Sequence, residues 1–201
     1  MLVVILHRKK AMTMFLNDYL FFNKSNDNIR LSSLLQPDSV VDGPGIRSVI
    51  WTQGCIHNCQ ECHNPETHSI CGGFDYKIEQ ICNEIKKCGY DITFSGGDPF
   101  LQPIQCAVIA KFAKEIGLNI WAYSGFLFED LVANQKTFEF LSYVDVLVDG
   151  KFEIQNKSLE CKFRGSTNQR LVDVQRSIMF GTVVEWKDPM SQIQRNNSEF
   201  L

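Results

Sequence analysis

Short strand-like runs alternate with helical runs along the middle of the chain, and this alternation restricts the possible folds more than any other feature. Four runs have the β-branched and aromatic composition of strands: 48–52, 91–94, 119–123 and 144–148. Each of the first three strand-like runs is followed by apolar residues at helical spacing. These lie at 78–85, then at Val108, Ile109, Phe112, Ala113 and Ile116, and then at 127–140, where the helix is expected in one or two pieces. Strands alternating with helices form a mainly parallel sheet with right-handed crossovers, so the sequence predicts an α/β fold.

Polar and glycine-rich segments follow each of these predicted strands. In chain order they are residues 55–62, 96–97, 124–125 and 149–150. Ligand sites in α/β sheets and barrels gather at the carboxyl ends of the strands, so we expect these loops to meet at one mouth. Four strands are too few for a closed eight-stranded barrel. The fold class that we expect is therefore a partial (open) β/α barrel with mainly parallel strands, to which residues 171–174 and 182–186 can add further strands.

The chain has 201 residues, of which 44% are apolar, and this suits one domain with one core. We expect that domain at residues 28–187, a disordered or non-native extension at 1–27 and a flexible tail at 188–201. A net charge of −3 argues against a nucleic-acid partner. No apolar run approaches the ~20 residues that span a bilayer, and residues 2–10 place apolar residues before basic ones, the reverse of a secretory signal. We therefore predict no membrane association and a cytoplasmic location.

Three of the eight cysteines, Cys55, Cys59 and Cys62, fall within eight residues in a C-x3-C-x2-C pattern. Thiols stay reduced in the cytosol, so clustered cysteines there indicate a metal site. Three thiolates suit a [4Fe–4S] cluster with three irons ligated by protein and the fourth open to a small molecule. The spacing alone leaves zinc open, with His57 or His63 as fourth ligand. The other cysteines are expected to be small buried apolar residues: Cys71, Cys82, Cys88, Cys106 and Cys161.

The cysteine motif after one strand and Ser95-Gly96-Gly97-Asp98-Pro99 after the next resemble the radical S-adenosylmethionine superfamily. Five further segments narrow the resemblance to the activating proteins of anaerobic ribonucleoside-triphosphate reductase. They are VDGPGIR at 41–47, CHN at 62–64, WAYSG at 121–125, VLVDGKF at 146–152 and RGSTNQR at 164–170. The similarity spans about residues 28 to 186, so it implies a radical-enzyme domain over nearly the whole predicted unit.

The resemblance implies that Cys55, Cys59 and Cys62 ligate the [4Fe–4S] cluster and that S-adenosylmethionine binds its open iron. It also implies a set of cofactor contacts, which extends over several loops: Glu61, Cys62, His63, Gly96, Gly97, Asp98, Tyr123 and Ser124. His63 would lie beside the adenine, and Gly96, Gly97 and Asp98 would hold the methionyl amino group. Glu61 departs from the glycine that relatives often have. Tyr123 and Ser124 could equally be a simple strand end or hold ribose or sulfonium.

Several other segments have a structural and a functional interpretation. Residues 42–47 are as compatible with a simple β-turn as with a functional role. Asp149 and Lys151 lie at the predicted mouth without a sequence signal that decides their role. Residues 164–170 are expected to form a rim or a partner contact. No side chain is assigned as a catalytic acid, base or nucleophile, because the cofactor carries the chemistry.

The reaction implied by the resemblance is reductive cleavage of S-adenosylmethionine, followed by formation of a glycyl radical on the large subunit of the reductase. A flavodoxin-like protein would supply the electron, and the chain could form a homodimer. One alternative is an activating enzyme of another glycyl-radical enzyme, such as pyruvate formate-lyase. A second alternative is a zinc-stabilised binding module without catalysis.

Overall fold

The computed structural model describes residues 27–188 of the chain. Apart from Asp27 and Asp188, the segments predicted to be an N-terminal extension and a C-terminal tail lie outside the described residues. Within residues 27–188, none of the helices is both long enough and apolar enough to cross a membrane.

A mixed sheet forms the centre of the domain. Its strands, in chain order, are β1 (Asn28–Leu31), β2 (Gln36–Ser39), β3 (Arg47–Thr52), β4 (Phe74–Lys77), β5 (Asp91–Gly96), β6 (Ile120–Tyr123), β7 (Val146–Asp149) and β8 (Arg170–Asp173). The spatial order is β4-β1-β3-β5-β6-β7-β8, with β2 also paired to β3. The pairs β3–β5, β5–β6 and β6–β7 are parallel. All four predicted strands are therefore present and parallel, and their carboxyl ends lie at one edge.

Antiparallel strands flank this parallel centre on both sides. On one side β1 pairs with β3 and β4, and on the other β8 pairs with β7. Along the described chain the sheet path runs from β4 to β8 without joining them, which agrees with an open partial barrel. The strand predicted at 171–174 is β8. Residues 182–186 were expected to be another strand, but they contribute only one isolated bridge, from Glu185 to Val172. The Val184 amide donates instead to the Ser177 hydroxyl at 2.8 Å, which interrupts a regular ladder.

Helices connect the parallel strands. They are α1 (Ile78–Cys88), α2 (Pro103–Glu115), α3 (Phe128–Val132), α4 (Gln135–Leu141) and, after β8, α5 (Val174–Phe180). Short 3-10 turns occur at Pro65–Thr67, Pro99–Leu101 and Ile154–Asn156. Helix α1 ends as its sequence predicts, because Gly89 takes a left-handed conformation (φ 67°) that closes the last turn. The predicted helix at 127–140 is present in two pieces.

The predicted buried face of α2 is partly wrong. Val108 and Ile116 are 47% and 39% exposed, whereas Cys106, Ala107 and Ala110 are buried. Helix α2 packs against both α1 and α4, and several of its buried residues are small, which lets neighbouring helices approach closely. Of the larger apolar residues in the sequence pattern, Ile109 is buried as predicted, whereas Val108 and Ile116 are exposed.

The two faces of the sheet have different cores. Alternate strand residues such as Ile50, Phe94 and Leu147 join the large core that packs against the helices. Trp121, Val146 and Val148 point to the opposite face and form a smaller cluster with Phe163 and Trp186 among its neighbours. Side chains alternate between the two faces along a strand. A sheet with apolar residues on both faces therefore needs strands that are apolar at nearly every position, and β6 and β7 have such sequences.

Candidate functional site

A cavity of about 710 Å³ lies at the carboxyl ends of the parallel strands. Residues from the loops after all four parallel strands line it, among them Cys55, Gly97, Ser124 and Lys151. The predicted convergence of these loops is therefore confirmed. The volume is in the range of small-molecule and cofactor pockets, which is roughly 300–1,000 Å³.

The thiols of Cys55, Cys59 and Cys62 all line this cavity and form no disulfide. Burial, together with the neighbouring Asp98 carboxylate and the other two thiols, raises the pKa of Cys55 to about 11. Burial and the Cys62 thiol raise the pKa of Cys59. The three thiols therefore lie within electrostatic reach of one another.

Backbone amides face these sulfurs. The Asn64 amide donates to the Cys62 sulfur at 3.4 Å. The backbone amides of His57 and Phe152 act in the opposite direction to burial and lower the pKa values of Cys55 and Cys59, respectively. N–H groups that point at thiolate sulfurs stabilise negative charge, and they tune iron–sulfur clusters.

The donor set fits a [4Fe–4S] cluster. Three free thiols share one cavity wall, and amide N–H groups face them. Among residues 27–188, no group of three or more histidine, cysteine, aspartate or glutamate side chains is arranged so that it could hold a single metal ion. This absence concerns a one-ion site and not a group of four irons, which is larger than one ion. Of the two histidines suggested as zinc ligands, His57 directs Nε2 to Asp98 at 2.6 Å, and His63 packs against Phe152 with ring centroids 4.9 Å apart.

Gly96 and Gly97 line the cavity, and they also bring the end of β5 against the backbone just before Cys55. The Gly97 amide donates to Thr52 at 2.7 Å, and the Asp98 amide donates to Gly54 at 2.8 Å. A Cβ atom on Gly97 would lie 2.2 Å from the Gly54 carbonyl oxygen, a distance that real structures do not show. The glycines are therefore required for one loop to dock on another.

Asp98 was predicted to contact the cofactor, and the structure buries it completely. Its Oδ1 accepts from the Phe100 amide at 3.0 Å and begins the 3-10 turn. Its Oδ2 accepts from the Ser124 hydroxyl at 2.9 Å and the Gly125 amide at 3.0 Å, and His57 Nε2 lies 2.6 Å away. Protein groups therefore occupy the acceptor positions of this carboxylate.

His63 and Glu61 flank Cys62. His63 lines the cavity, so its ring is available to a planar ligand there; contact with adenine stays a prediction. Glu61 is exposed and has a left-handed backbone (φ 52°), which explains why glycine suits this position. Its side chain is not part of the cavity lining, so any cofactor contact would come from its backbone.

Tyr123 and Ser124 both line the cavity, but their hydroxyl groups are engaged within the protein. The Tyr123 hydroxyl donates to the Phe163 carbonyl at 2.9 Å, and burial raises the pKa of this phenol. The Ser124 hydroxyl donates to Asp98 and accepts from the Phe126 amide at 3.1 Å. Contacts of these two residues with ribose or sulfonium stay predictions.

The structure separates Asp149 from Lys151. Asp149 is completely buried, and its Oδ2 accepts from the Phe128 amide that begins α3, at 2.8 Å. Its Oδ1 accepts from Arg170 at 2.9 Å. Lys151 lines the cavity, and its charge lowers the pKa of Cys59. Asp149 is thus structural, whereas Lys151 faces the site.

The two remaining segments that resemble the family, 42–47 and 164–170, also differ in their position relative to the cavity. In residues 42–47, Arg47 is buried and donates to Thr93 at 2.8 Å and Ile92 at 2.6 Å. Burial lowers the pKa of Arg47 to about 10, so this arginine is part of the frame. In residues 164–170, Arg164 and Gln169 line the cavity, as the rim prediction expects, whereas Arg170 pairs with Asp149.

Sequence reasoning missed several residues at the site. The ring of His57 was considered only as a zinc ligand, although its position between two motif cysteines was a signal for a role in that loop. Phe152 lines the cavity and was identified only as part of the segment at 146–152, without a role of its own, and Leu159 lines it without a sequence signal. Cys161, expected to be a buried apolar residue, also lines the cavity, and Cys71 is exposed rather than buried.

Comparison with known proteins agrees with these observations. Residues 41–172 match the family described as "4Fe-4S single cluster domain". The chain is 35% identical over 144 residues to the anaerobic ribonucleoside-triphosphate reductase-activating protein of Pasteurella multocida (strain Pm70), covering 66% of this chain and 90% of the relative. It is 36% identical over 146 residues to the protein of the same name from Escherichia coli (strain K12), covering 66% and 92%. The crystal structure of QueE from Escherichia coli is similar at a lower level, with a TM-score of 0.39 and 15% identity over 53% of this chain and 56% of the QueE chain.

Proposed function

Because the chain belongs to the family of anaerobic ribonucleoside-triphosphate reductase-activating proteins and carries its 4Fe-4S single cluster domain, we propose that it activates such a reductase. It is a radical S-adenosylmethionine enzyme that generates a glycyl radical on the reductase. The observation that carries the proposal is one cavity in which three free thiols and the Gly96 and Gly97 backbone meet at the ends of adjacent parallel strands.

Cys55, Cys59 and Cys62 would hold three irons of a [4Fe–4S] cluster and leave the fourth for the amino and carboxylate groups of S-adenosylmethionine. When bound and reduced, the cluster supplies the electron that splits the sulfonium into methionine and a 5′-deoxyadenosyl radical. The amide of Asn64 supports negative charge on the Cys62 sulfur, and the charge of Lys151 does so for Cys59. These residues stabilise the thiolates without exchanging protons with the substrate.

The rest of the cavity wall would position S-adenosylmethionine and exclude water. Gly96 and Gly97 present backbone without side chains, which lets a ligand approach closely. The rings of His63 and Phe152 lie 4.9 Å apart, centroid to centroid, and both line this cavity. Tyr123 and Ser124 contribute surface whose hydroxyls are already held in place. Asp98 supports this wall from inside the protein.

The partner in this proposal is the large subunit of the reductase, since both relatives carry the name of its activating protein rather than that of another activase. A peptide of the partner would have to reach the cavity from solvent, and Leu159, which is 96% exposed, belongs to its lining. A flavodoxin-like protein as electron donor, a homodimer and a cytoplasmic location complete the proposal.

Anaerobic reconstitution with iron and sulfide, followed by dithionite and S-adenosylmethionine, tests this function. We expect the chain to bind about four irons and to release 5′-deoxyadenosine. Cys59→Ala removes one iron ligand and should abolish that product. Cys71→Ala is the matched control, because Cys71 is an exposed thiol outside the cavity.

Adding the large subunit of an anaerobic reductase should then give the EPR doublet of a glycyl radical. Binding of one zinc per chain without iron would contradict the proposal and support a zinc module. Product formation without a radical on that reductase, together with a radical on pyruvate formate-lyase, would leave the chemistry intact and show that the partner is wrong.

A further inference from the structure

We propose that Asp98 is a positioning residue for the cysteine loop, acting through the imidazole of His57, and not a ligand of the methionyl amino group. This inference rests on the proposed function, because it concerns the loop that would hold the cluster. It gives the buried Asp98 carboxylate a role different from the one that the resemblance implies, and it gives His57 a role that the resemblance does not supply.

The first argument is the occupancy of the carboxylate. Asp98 has no exposed surface, and two backbone amides, one hydroxyl and one imidazole nitrogen surround its two oxygens. Two oxygens of a carboxylate offer about four lone-pair sites. A cofactor ammonium could bind only by displacing a partner from a site that solvent does not reach.

The second argument is the way in which His57 is held. Its side chain is only 6% exposed. It packs edge-on against Phe126 with ring centroids 4.5 Å apart, and a Cβ atom on Gly125 would lie 2.4 Å from its Cδ2. The imidazole therefore fits against the turn after β6 and directs Nε2 into Asp98. The packing against Phe126 and the hydrogen bond to Asp98 therefore act on the same ring.

The third argument is where His57 lies in the chain. It is two residues from both Cys55 and Cys59, so its side chain holds the loop at a point between these two cysteines. Asp98 also binds the loop from the other side, since its own amide donates to Gly54 at 2.8 Å. Asp98 thus holds the chain immediately before Cys55 and at a point between Cys55 and Cys59. The positions of two predicted iron ligands depend on this one residue.

Three variants separate positioning from cofactor binding. Asp98→Asn keeps an oxygen for the Phe100 amide, but its NH2 group would face the donors that now meet at Oδ2. His57→Phe keeps a ring against Phe126 and removes the nitrogen that faces Asp98. The third variant combines both changes. Iron-retention half-time against a chelator, the EPR spectrum of the reduced cluster without S-adenosylmethionine, and the Kd for S-adenosylmethionine are measured on each reconstituted full chain.

If Asp98 acts through His57, both single variants should lose iron about tenfold faster and change the EPR spectrum in the absence of the cofactor. The double variant should be no worse than the more affected single variant, because the two residues form one unit. Asp149→Asn makes the same chemical change at a buried aspartate that does not contact the loop. It should leave the EPR spectrum unchanged.

The proposal would be overturned if Asp98→Asn retained iron and the wild-type EPR spectrum but bound S-adenosylmethionine about tenfold more weakly. Additive effects of the two single changes would also overturn it, because they would show independent roles. A wild-type chain that binds no iron and sulfide would instead contradict the proposed function, so the two failures are distinguishable.

Discussion

Two completely buried aspartates, Asp98 and Asp149, lie at the carboxyl ends of β5 and β7, on either side of β6. Each accepts a backbone amide at the start of a helical segment, from Phe100 and Phe128 respectively. Their remaining partners differ. Asp98 is surrounded by a hydroxyl, an amide and an imidazole, whereas Asp149 is paired with the guanidinium of Arg170.

This difference corresponds to what each aspartate holds. Arg170 lies on β8 and also bonds Glu129 on α3 at 2.8 Å, so Asp149 joins one strand and one helix of the frame. Asp98 joins the ends of β5 and β6 to a loop without regular structure. The Arg170–Asp149 ion pair thus connects elements of regular structure, whereas the hydrogen bonds of Asp98 connect the sheet to the cysteine loop.

The largest stability effect is expected on the β7 side. Arg170→Met would leave the Asp149 carboxylate buried without its cation, and we expect a loss of about 3 kcal/mol in the free energy of unfolding. Urea denaturation of the iron-free chain measures it. Arg170→Lys keeps the charge but not the two-pronged geometry, and should lose less. A loss below about 0.5 kcal/mol for Arg170→Met would mean that the pair contributes no more than a surface salt bridge.

A smaller stability loss with a larger effect on the cluster is expected on the β5 side. Gly97→Ala would force a Cβ atom against the Gly54 carbonyl, and overpacking of this kind costs about 1–3 kcal/mol. Because Gly54 precedes Cys55, the variant should also retain iron poorly after reconstitution. Iron content and urea denaturation are both measured.

Gly89→Ala is the control for that change. Gly89 has a left-handed backbone (φ 67°) with nothing within 4 Å of the added carbon, so only a conformational cost of roughly 1–2 kcal/mol is expected. Iron content should remain at the wild-type level. If both variants lost iron equally, the cysteine loop would respond to overall stability and not to its contact with β5.

The parallel centre of the fold and the convergence of its loops could both be predicted from the sequence. Strands such as β3 and β5 carry their own apolar and β-branched signal, and each is followed by a recognisable loop motif. Strands β1, β2 and β4 were not predicted. β2 has the sequence Gln-Pro-Asp-Ser, which has no strand preference, and it exists because it pairs with β3.

At the site, residue types could be predicted but not the distribution of hydrogen bonds. Gly96, Gly97 and Asp98 were expected to contact a ligand, and the structure shows that the Gly97 and Asp98 amides donate to the backbone just before Cys55. The spacing of a motif does not reveal which neighbour a carboxylate will meet. His57 becomes a partner of Asp98 only because β3 and β5 are adjacent and parallel, a relation between segments about 40 residues apart in the chain.

The smallest effect is expected from a change within the cysteine loop that touches neither aspartate. Glu61 adopts a left-handed backbone (φ 52°), which costs a side-chain-bearing residue roughly 1–2 kcal/mol and glycine almost nothing. Glycine also gives the unfolded chain more conformational freedom, which offsets part of the stabilisation expected from relieving the strained backbone. We therefore expect a stabilisation of about 0.5 kcal/mol in urea denaturation, with unchanged iron content. Gln60→Gly, at an exposed neighbour outside the left-handed region, should instead destabilise by about 0.5 kcal/mol. Gly97→Ala is expected to lower the iron content. If Glu61→Gly lowered it to a similar extent, the positions of the cysteines would depend on the stiffness of the loop itself and not on its attachment to Asp98.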